Sequence, residues 1–163
     1  MNNDDKKKVY LSYRGFSAQN FISVFSFLEY SNFVKDGVFI TFREGVRHPA
    51  GFKYDKENEI TMSISAIDLR ALAYGIKDIV KNKSNALPYK NITRSDAVKT
   101  LSLKYVDKKS DGEFIYIQVL YKKKVIGVEF NKWEALSFSD SLKIIADGTE
   151  KSLYMAQRKI NKT

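Results

Sequence analysis

Residues 36–42 read DGVFITF, and residues 111–117 read DGEFIYI. Each phrase is an Asp-Gly turn pair followed by alternating apolar residues, the pattern of a half-buried strand. The surroundings match as well. Before the first phrase, KVYLSYR (8–14) alternates Val9, Leu11 and Tyr13 against Lys8, Tyr10, Ser12 and Arg14. ISVFSFLEY (22–30) is an apolar and aromatic run with a serine break, and reads as a second strand. After the phrase, Gly45, Pro49 and Gly51 punctuate a loop. A fourth strand falls within 52–65, where Ile60, Met62 and Ile64 alternate with Thr61, Ser63 and Ser65.

The period then lengthens. In SAIDLRALAYGIKDIVKN (65–82), Leu69, Leu72, Ala73, Ile76, Ile79 and Val80 fall on one side of a helix. Ser65 is the expected N-cap, and Asp68 sits near the helix's positive end. Gly75 costs such a helix about 1 kcal/mol relative to Ala, which suggests a position kept small for close packing.

Residues 82–97 are polar, contain Pro88 and read as a linker. The programme then repeats. KTLSLKY (99–105) sets Leu101, Leu103 and Tyr105 against Thr100, Ser102 and Lys104, and the turn DKKSDG leads into EFIYIQVLY (113–121). Lys122, Lys123 and Lys124 form a hairpin tip before VIGVEF (125–130). A helix opens at Asn131, with Glu134 completing a capping box and Ala135, Phe138, Leu142, Ile145 and Ala146 as its apolar stripe. Trp133 is expected to staple that helix to the sheet. Asp147-Gly148 either ends the helix or is a weak point that it crosses into KSLYMAQRKI (151–160). Arg70-Ala71-Leu72 corresponds to Glu134-Ala135-Leu136 at a shorter lag than the two Asp-Gly pairs. The difference is a long loop over 43–59 in the first copy, where the second has a lysine turn.

The expected architecture is α+β, a single domain over 1–163 made of duplicated antiparallel strand–helix units. These are 8–81 and 98–146, two curved antiparallel sheets each with a covering helix. Residues 82–97 join them, and 147–163 form a basic tail, helical or frayed.

The chain holds 28 Lys and Arg against 19 Asp and Glu, a formal net charge of +9. Such an excess points first to nucleic acid, then to an anionic membrane surface or an acidic protein. With no cysteine, disulfides, thiolate metal sites and cysteine nucleophiles are excluded. His48 is the only histidine, so no multi-histidine metal site can be built, and it reads as a surface-loop residue. Asp55, Glu57 and Glu59 alternate as a nuclease's cation ligands would, although carboxylates around an Asn more often make a turn. No glycine-rich phosphate loop occurs. No catalysis and no cofactor are expected. No apolar run approaches the roughly 20 residues of a membrane span, and MNNDDKKKVYLSY (1–13) lacks the features of a targeting peptide. The abundance of Lys, Asn and Ile suggests an AT-rich genome. A cytoplasmic protein of a bacterium or a phage-infected host is the expectation.

The surfaces left over carry the functional reading. On 113–121, Phe114, Tyr116 and Gln118 share the face opposite Ile115, Ile117 and Val119. The equivalent positions in the first unit are Phe39, Thr41 and Arg43. Lys8, Tyr10 and Arg14 add to the polar face of 8–14, and Lys104 to that of 99–105. Rings that stack on bases beside cations that neutralise phosphates make a platform for a single strand. The alternative is that Phe39 and Phe114 are buried in a second layer or an oligomer contact. Lys122, Lys123 and Lys124 extend the platform or are a solvated turn, as are Lys6, Lys7 and Lys8. Lys151, Arg158, Lys159 and Lys162 form a phosphate-binding arm or a frayed end.

The DGVFITF/DGEFIYI pair and the passages ITMSISAIDLRALAYGI and VIGVEFNKWEALSFSDSL together resemble the Whirly fold. That fold also covers mitochondrial guide-RNA-binding proteins and, as a single-unit dimer, the transcriptional coactivator positive cofactor four. The resemblance spans most of residues 8–146 and implies sheets that bind single-stranded DNA or RNA with little sequence preference, often in a homo-oligomer. The expected function is non-catalytic binding of single-stranded DNA in replication, recombination or transcription. The alternative is a protein–protein module, an adaptor or inhibitor, that uses the aromatic face as a dry interface. A cation-dependent nuclease is a third reading.

Overall fold

Apolar and aromatic runs set the first strand pair. Strand β1 (Lys7–Ser17) pairs antiparallel with β2 (Phe21–Tyr30), and β2 with β3 (Val34–Arg43). A small hairpin follows, β4 (Gly45–His48) and β5 (Gly51–Tyr54), before β6 (Ile60–Ser63) pairs back with β3. The first sheet is thus a four-stranded antiparallel meander, β1-β2-β3-β6, and helix α1 (Ala66–Asn82) leaves it directly. A second antiparallel meander is built from β7 (Tyr89–Ile92), β8 (Val98–Asp107), β9 (Glu113–Tyr121) and β10 (Lys124–Asn131). It runs into helix α2 (Lys132–Ile160). This computed structural model describes residues 7–31, 33–84, 89–92 (main chain only) and 98–162. No helix among the described residues is long and apolar enough to cross a membrane.

Both helices begin where their caps dictate. The Ser65 hydroxyl accepts from Asp68 N–H at 3.1 Å. Asn131 Oδ1 accepts from Trp133 and Glu134 N–H at 3.0 and 2.9 Å, while Glu134 accepts from Asn131 N–H at 2.8 Å. α2 passes through Asp147-Gly148 without breaking, and the end of the chain from 147 to Ile160 is helical. Two expectations are corrected here. The linker at 82–97 contains β7, an edge strand whose polar sequence YKNI gives no alternation signal, while 85–88 and 93–97 lie outside the described residues. Trp133 does not staple α2 to a sheet, because its side chain is 73% exposed with Lys132 Nζ over the ring.

The inner faces of the two sheets share one core. Ile22, Val24, Ile40 and Phe42 from the first sheet join Leu101, Ile117 and Val119 from the second in a single buried cluster with both helices. The expected arrangement of one covering helix per sheet is also corrected. α1 lies mainly on β8 and β9 of the second sheet, while α2 reaches β1, β2 and β3 of the first as well as β9 and β10. The helices pack against each other, and the fully buried Ser139 hydroxyl donates to Ala73 C=O at 2.7 Å. At the outer rim Arg70 grips α2. Its Nε donates to Asp147 at 2.7 Å, and its two terminal nitrogens reach Glu150. The Arg70 hydrogen bonds hold both carboxyls below their ordinary range. At the far end of α1, Lys83 Nζ and the Tyr105 hydroxyl converge on Glu113 Oε1. The bond to Glu113 is the main cause that pushes the Tyr105 phenol up to about 12.

Asn20, in the β1–β2 turn, clamps three elements. Its Oδ1 accepts from Gly45 N–H at 3.0 Å, and its Nδ2 donates to Gly127 C=O of β10 at 2.7 Å. Asn20→Ala removes both bonds and is expected to cost about 1–3 kcal/mol in denaturant unfolding. Gly75 does not meet the requirement inferred for it, since an added Cβ would touch only Leu103 Cδ1 at 3.4 Å, ordinary contact. Gly75→Ala is therefore expected to stabilise the protein by about 0.5–1 kcal/mol through helix propensity and unfolded-state entropy, read as a higher Tm.

Candidate functional site

The outer face of the first sheet, turned away from both helices, carries a cluster of aromatic rings. One irregularity brings Tyr13 onto it. The β1–β2 register pairs Tyr10 with Phe27 and then Ser12 with Ser26, so Leu11 is an extra residue in a β-bulge. Past the bulge the facing is reversed. Tyr13 pairs with Phe25 on the outer face, and Arg14 falls on the other face opposite Val24, exposed at the sheet edge with its guanidinium over Phe16. The expectation that Arg14 lies with Lys8 and Tyr10 is corrected by this single residue.

A shallow groove of about 450 Å³ results, lined by Lys8, Tyr10, Tyr13, Phe25, Phe27, Phe39, Thr41 and Arg43, with Ser23, Glu59 and Thr61 completing it. The Phe39 ring stacks between two neighbours, 5.4 Å from Phe25 and 5.8 Å from Phe27, at interplanar angles of 21° and 10°. Tyr10 leans on Phe27 edge-on at 6.0 Å. Such pairs each add about 0.5–1.5 kcal/mol beyond area burial, so the floor is rigid. Phe27 is seated on Gly37, where an added Cβ would come within 2.5 Å of its ring. Above this floor Tyr10 and Tyr13 stand 70% and 65% exposed. Hydroxyls fill the next rung, with Thr41 and Thr61 hydrogen-bonded at 2.8 Å.

The cations of this face are engaged. Glu29, buried at the floor, lies 3.9 Å from Lys8 Nζ and 3.0 Å from Lys35 Nζ. Arg43 holds Glu59 at 2.6 Å while its guanidinium covers Phe21. Lys8 also sits over the Phe27 ring at 4.8 Å.

Of the residues expected from sequence, the structure gathers Lys8, Tyr10, Phe39 and Arg43 into this groove. Lys122, Lys123 and Lys124 stand beside its Glu59 end, in a depression shared with Glu57 and Asn58. Lys124 itself pairs with Glu44 at 3.0 Å and donates to Asn58 C=O. Lys104, Phe114 and Tyr116 lie on the outer face of the second sheet. There Phe114 is half-buried under Lys108, and Tyr116 lies flat over Gly127, where a Cβ would meet its ring at 2.3 Å. Lys6 lies outside the described residues.

Tyr13, Phe25 and Phe27 escaped the sequence reading. ISVFSFLEY is apolar on both faces, so alternation is invisible in it. The spacing of Phe21, Phe25 and Phe27, all on one parity, was the available signal.

Among the described residues no group of three or more acidic or histidine side chains is placed to hold a metal ion. Asp55 closes its own turn, accepting from Glu57 and Asn58 N–H and from the Asn58 amide, which holds its carboxyl below the ordinary value. His48 is exposed at the hairpin tip and accepts from Ala50 N–H at 3.4 Å. Compared with protein-family models, curated proteins and solved structures, the chain finds no match.

Proposed function

We propose that this chain is a non-catalytic binding protein for single-stranded nucleic acid, DNA in the first instance, acting in replication, recombination or transcription. The observation that carries the reading is the groove on the uncovered face of the first sheet. Its stacked phenylalanine floor carries two exposed tyrosines, with cations at both ends. Every base has a flat face, and each one that stacks on an aromatic side chain contributes roughly 1–3 kcal/mol with little regard to sequence. Lys122 and Lys123 supply charge next to the groove, without an ion pair among the described residues.

The two halves are best read as copies of one Whirly-like unit. VFITF and EFIYI each lie in the third strand of a meander, although Asp36-Gly37 are paired within β3 and form no turn while Asp111-Gly112 precede β9. ITMS and VIGVEF each lie in the fourth, running into a capped helix. The long insertion in the first copy is the β4–β5 hairpin, at the place where the second has its lysine turn.

One observation favours a second reading. Glu29 and Glu59 lower the positive charge of the groove, which suits a dry contact with a protein partner, as in an adaptor or inhibitor. Salt separates the two. For nucleic acid, log affinity for a labelled oligothymidylate falls linearly with log salt, by about 0.7 for each phosphate neutralised. Tyr10→Ala and Tyr13→Ala, both exposed, each weaken binding by about 5- to 100-fold, Tyr13→Ala with Tm unchanged and Tyr10→Ala with a small fall in Tm from its lost edge contact with Phe27. No binding at low salt removes the proposal.

Glu59→Gln releases Arg43 from its ion pair. The variant is expected to bind oligothymidylate several-fold more tightly, with a salt slope steeper by about 0.7. Fluorescence anisotropy at a series of salt concentrations measures both quantities.

A further inference from the structure

The β4–β5 hairpin occupies the place where the second half of the chain needs only a two-residue turn, and nothing in the core requires it. Its residues 45–54, GVRHPAGFKY, include Arg47, His48 and Lys53 and no carboxylate. Gly51, at φ +126°, permits its tight tip. The register sets Arg47 opposite Phe52 and Gly45 opposite Tyr54 on one face, with Val46 and Lys53 on the other.

The first of these faces continues the groove. The Tyr54 ring packs on Phe21 at 5.4 Å, and Phe21 is the outer-face residue that lies under the Arg43 guanidinium. Tyr54 is fixed there by its hydroxyl, which donates to Ala18 C=O at 2.7 Å. Beyond Tyr54, a cleft of about 580 Å³ opens between Gln19 and the hairpin, lined by Arg47, His48 and Phe52. Phe52 is 42% exposed, a large apolar ring held in water. Arg47 makes no ion pair or hydrogen bond among the described residues, in contrast to Lys8 and Arg43. The aromatic track therefore passes from a charge-compensated groove to a segment whose cation is uncompensated.

We infer that the hairpin is a second contact segment for the same ligand. A single strand of nucleic acid leaves the groove over Phe21 and Tyr54 and enters the cleft, where Phe52 supplies a stacking face and Arg47 a phosphate contact. The inference rests on the function proposed above. The occupant is a polyanion with flat bases because the cleft offers one free cation beside one exposed ring, in line with a track of rings. The groove supplies stacking, and the hairpin supplies part of the salt dependence.

The test uses the full chain and oligothymidylates of about 4 and about 16 nucleotides, the span of sites on comparable strand platforms. With the longer probe, Arg47→Gln is expected to reduce the salt slope by about 0.7, and Phe52→Ala to weaken binding about tenfold. Lys53→Gln, on the opposite face of the hairpin, leaves slope and affinity unchanged. With the shorter probe all three variants behave as the parent protein. Equal effects of Arg47→Gln and Lys53→Gln would mean a general field and no contact, and would overturn the inference, as would no effect of either. In both of those cases the groove reading survives if Tyr13→Ala still weakens binding of the longer probe. A parent protein that binds neither probe removes both. Should Phe52→Ala fail to fold, the contrast between Arg47→Gln and Lys53→Gln, both on exposed side chains, decides alone.

Discussion

A β-sheet has two faces, and a chain of this size has only enough helix to cover one face of each sheet. Here both inner faces close on one core with α2 spanning the two sheets and α1 on the second, and the helices pack on each other through the Ser139–Ala73 hydrogen bond and the Arg70 grip. Burial of each large aliphatic side chain contributes about 1.5–3 kcal/mol, so the inner faces settle which way every strand is turned. What lies on the other side follows by parity. Phe25, Phe27 and Phe39 are outward because Val24, Ile40 and Leu28 are inward. The aromatic groove is thus a consequence of the core, and its rings are rigid because glycine and each other's faces support them.

Charge on this molecule is distributed in a way that the total conceals. A formal +9 suggests a uniformly attractive surface, yet the cations nearest the rings are balanced by Glu29 and Glu59. Uncompensated cations stand at the rim, on the lysine turn and the hairpin. Arranged this way, ring contact and phosphate contact are supplied by different segments. Stacking is largely indifferent to ionic strength, whereas the rim contacts are screened within about 10 Å at moderate salt.

Much of the architecture was legible in the residues. Seven of the ten strands were located, by period-2 alternation in mixed strands such as KTLSLKY and ITMSIS and by a bare apolar run in ISVFSFLEY, and the caps Ser65 and Asn131 located both helix starts. The β4–β5 hairpin fell in the stretch read as a loop, because Gly45, Pro49 and Gly51 punctuate it and its short strands carry no apolar alternation. Three further features were not legible, each for a physical reason. The bulge at Leu11 reverses facing within β1 without altering composition, so Tyr13 and Arg14 exchange sides. Strand β7 is polar and lies at an edge, where main-chain pairing with β8 sets the conformation. The exchange of helices between halves depends on long-range packing that no local pattern encodes. For the site, Phe39, Tyr10, Lys8 and Arg43 were found because they sit on mixed strands, while Phe25 and Phe27 were hidden in a strand apolar on both sides.

The exchange of helices also bears on the order in which the protein can be completed. α2 is the last of the described elements, yet it roofs β1, β2 and β3, which are made well before it. While the chain is being synthesised, Ile22, Val24 and Ile40 therefore have a floor and no ceiling until translation has passed α2. Domains generally fold as units once their parts are present, and here the first sheet must wait for α2. Such a protein spends its nascent life with an apolar sheet open to whatever reaches it first, at the mouth of the ribosome.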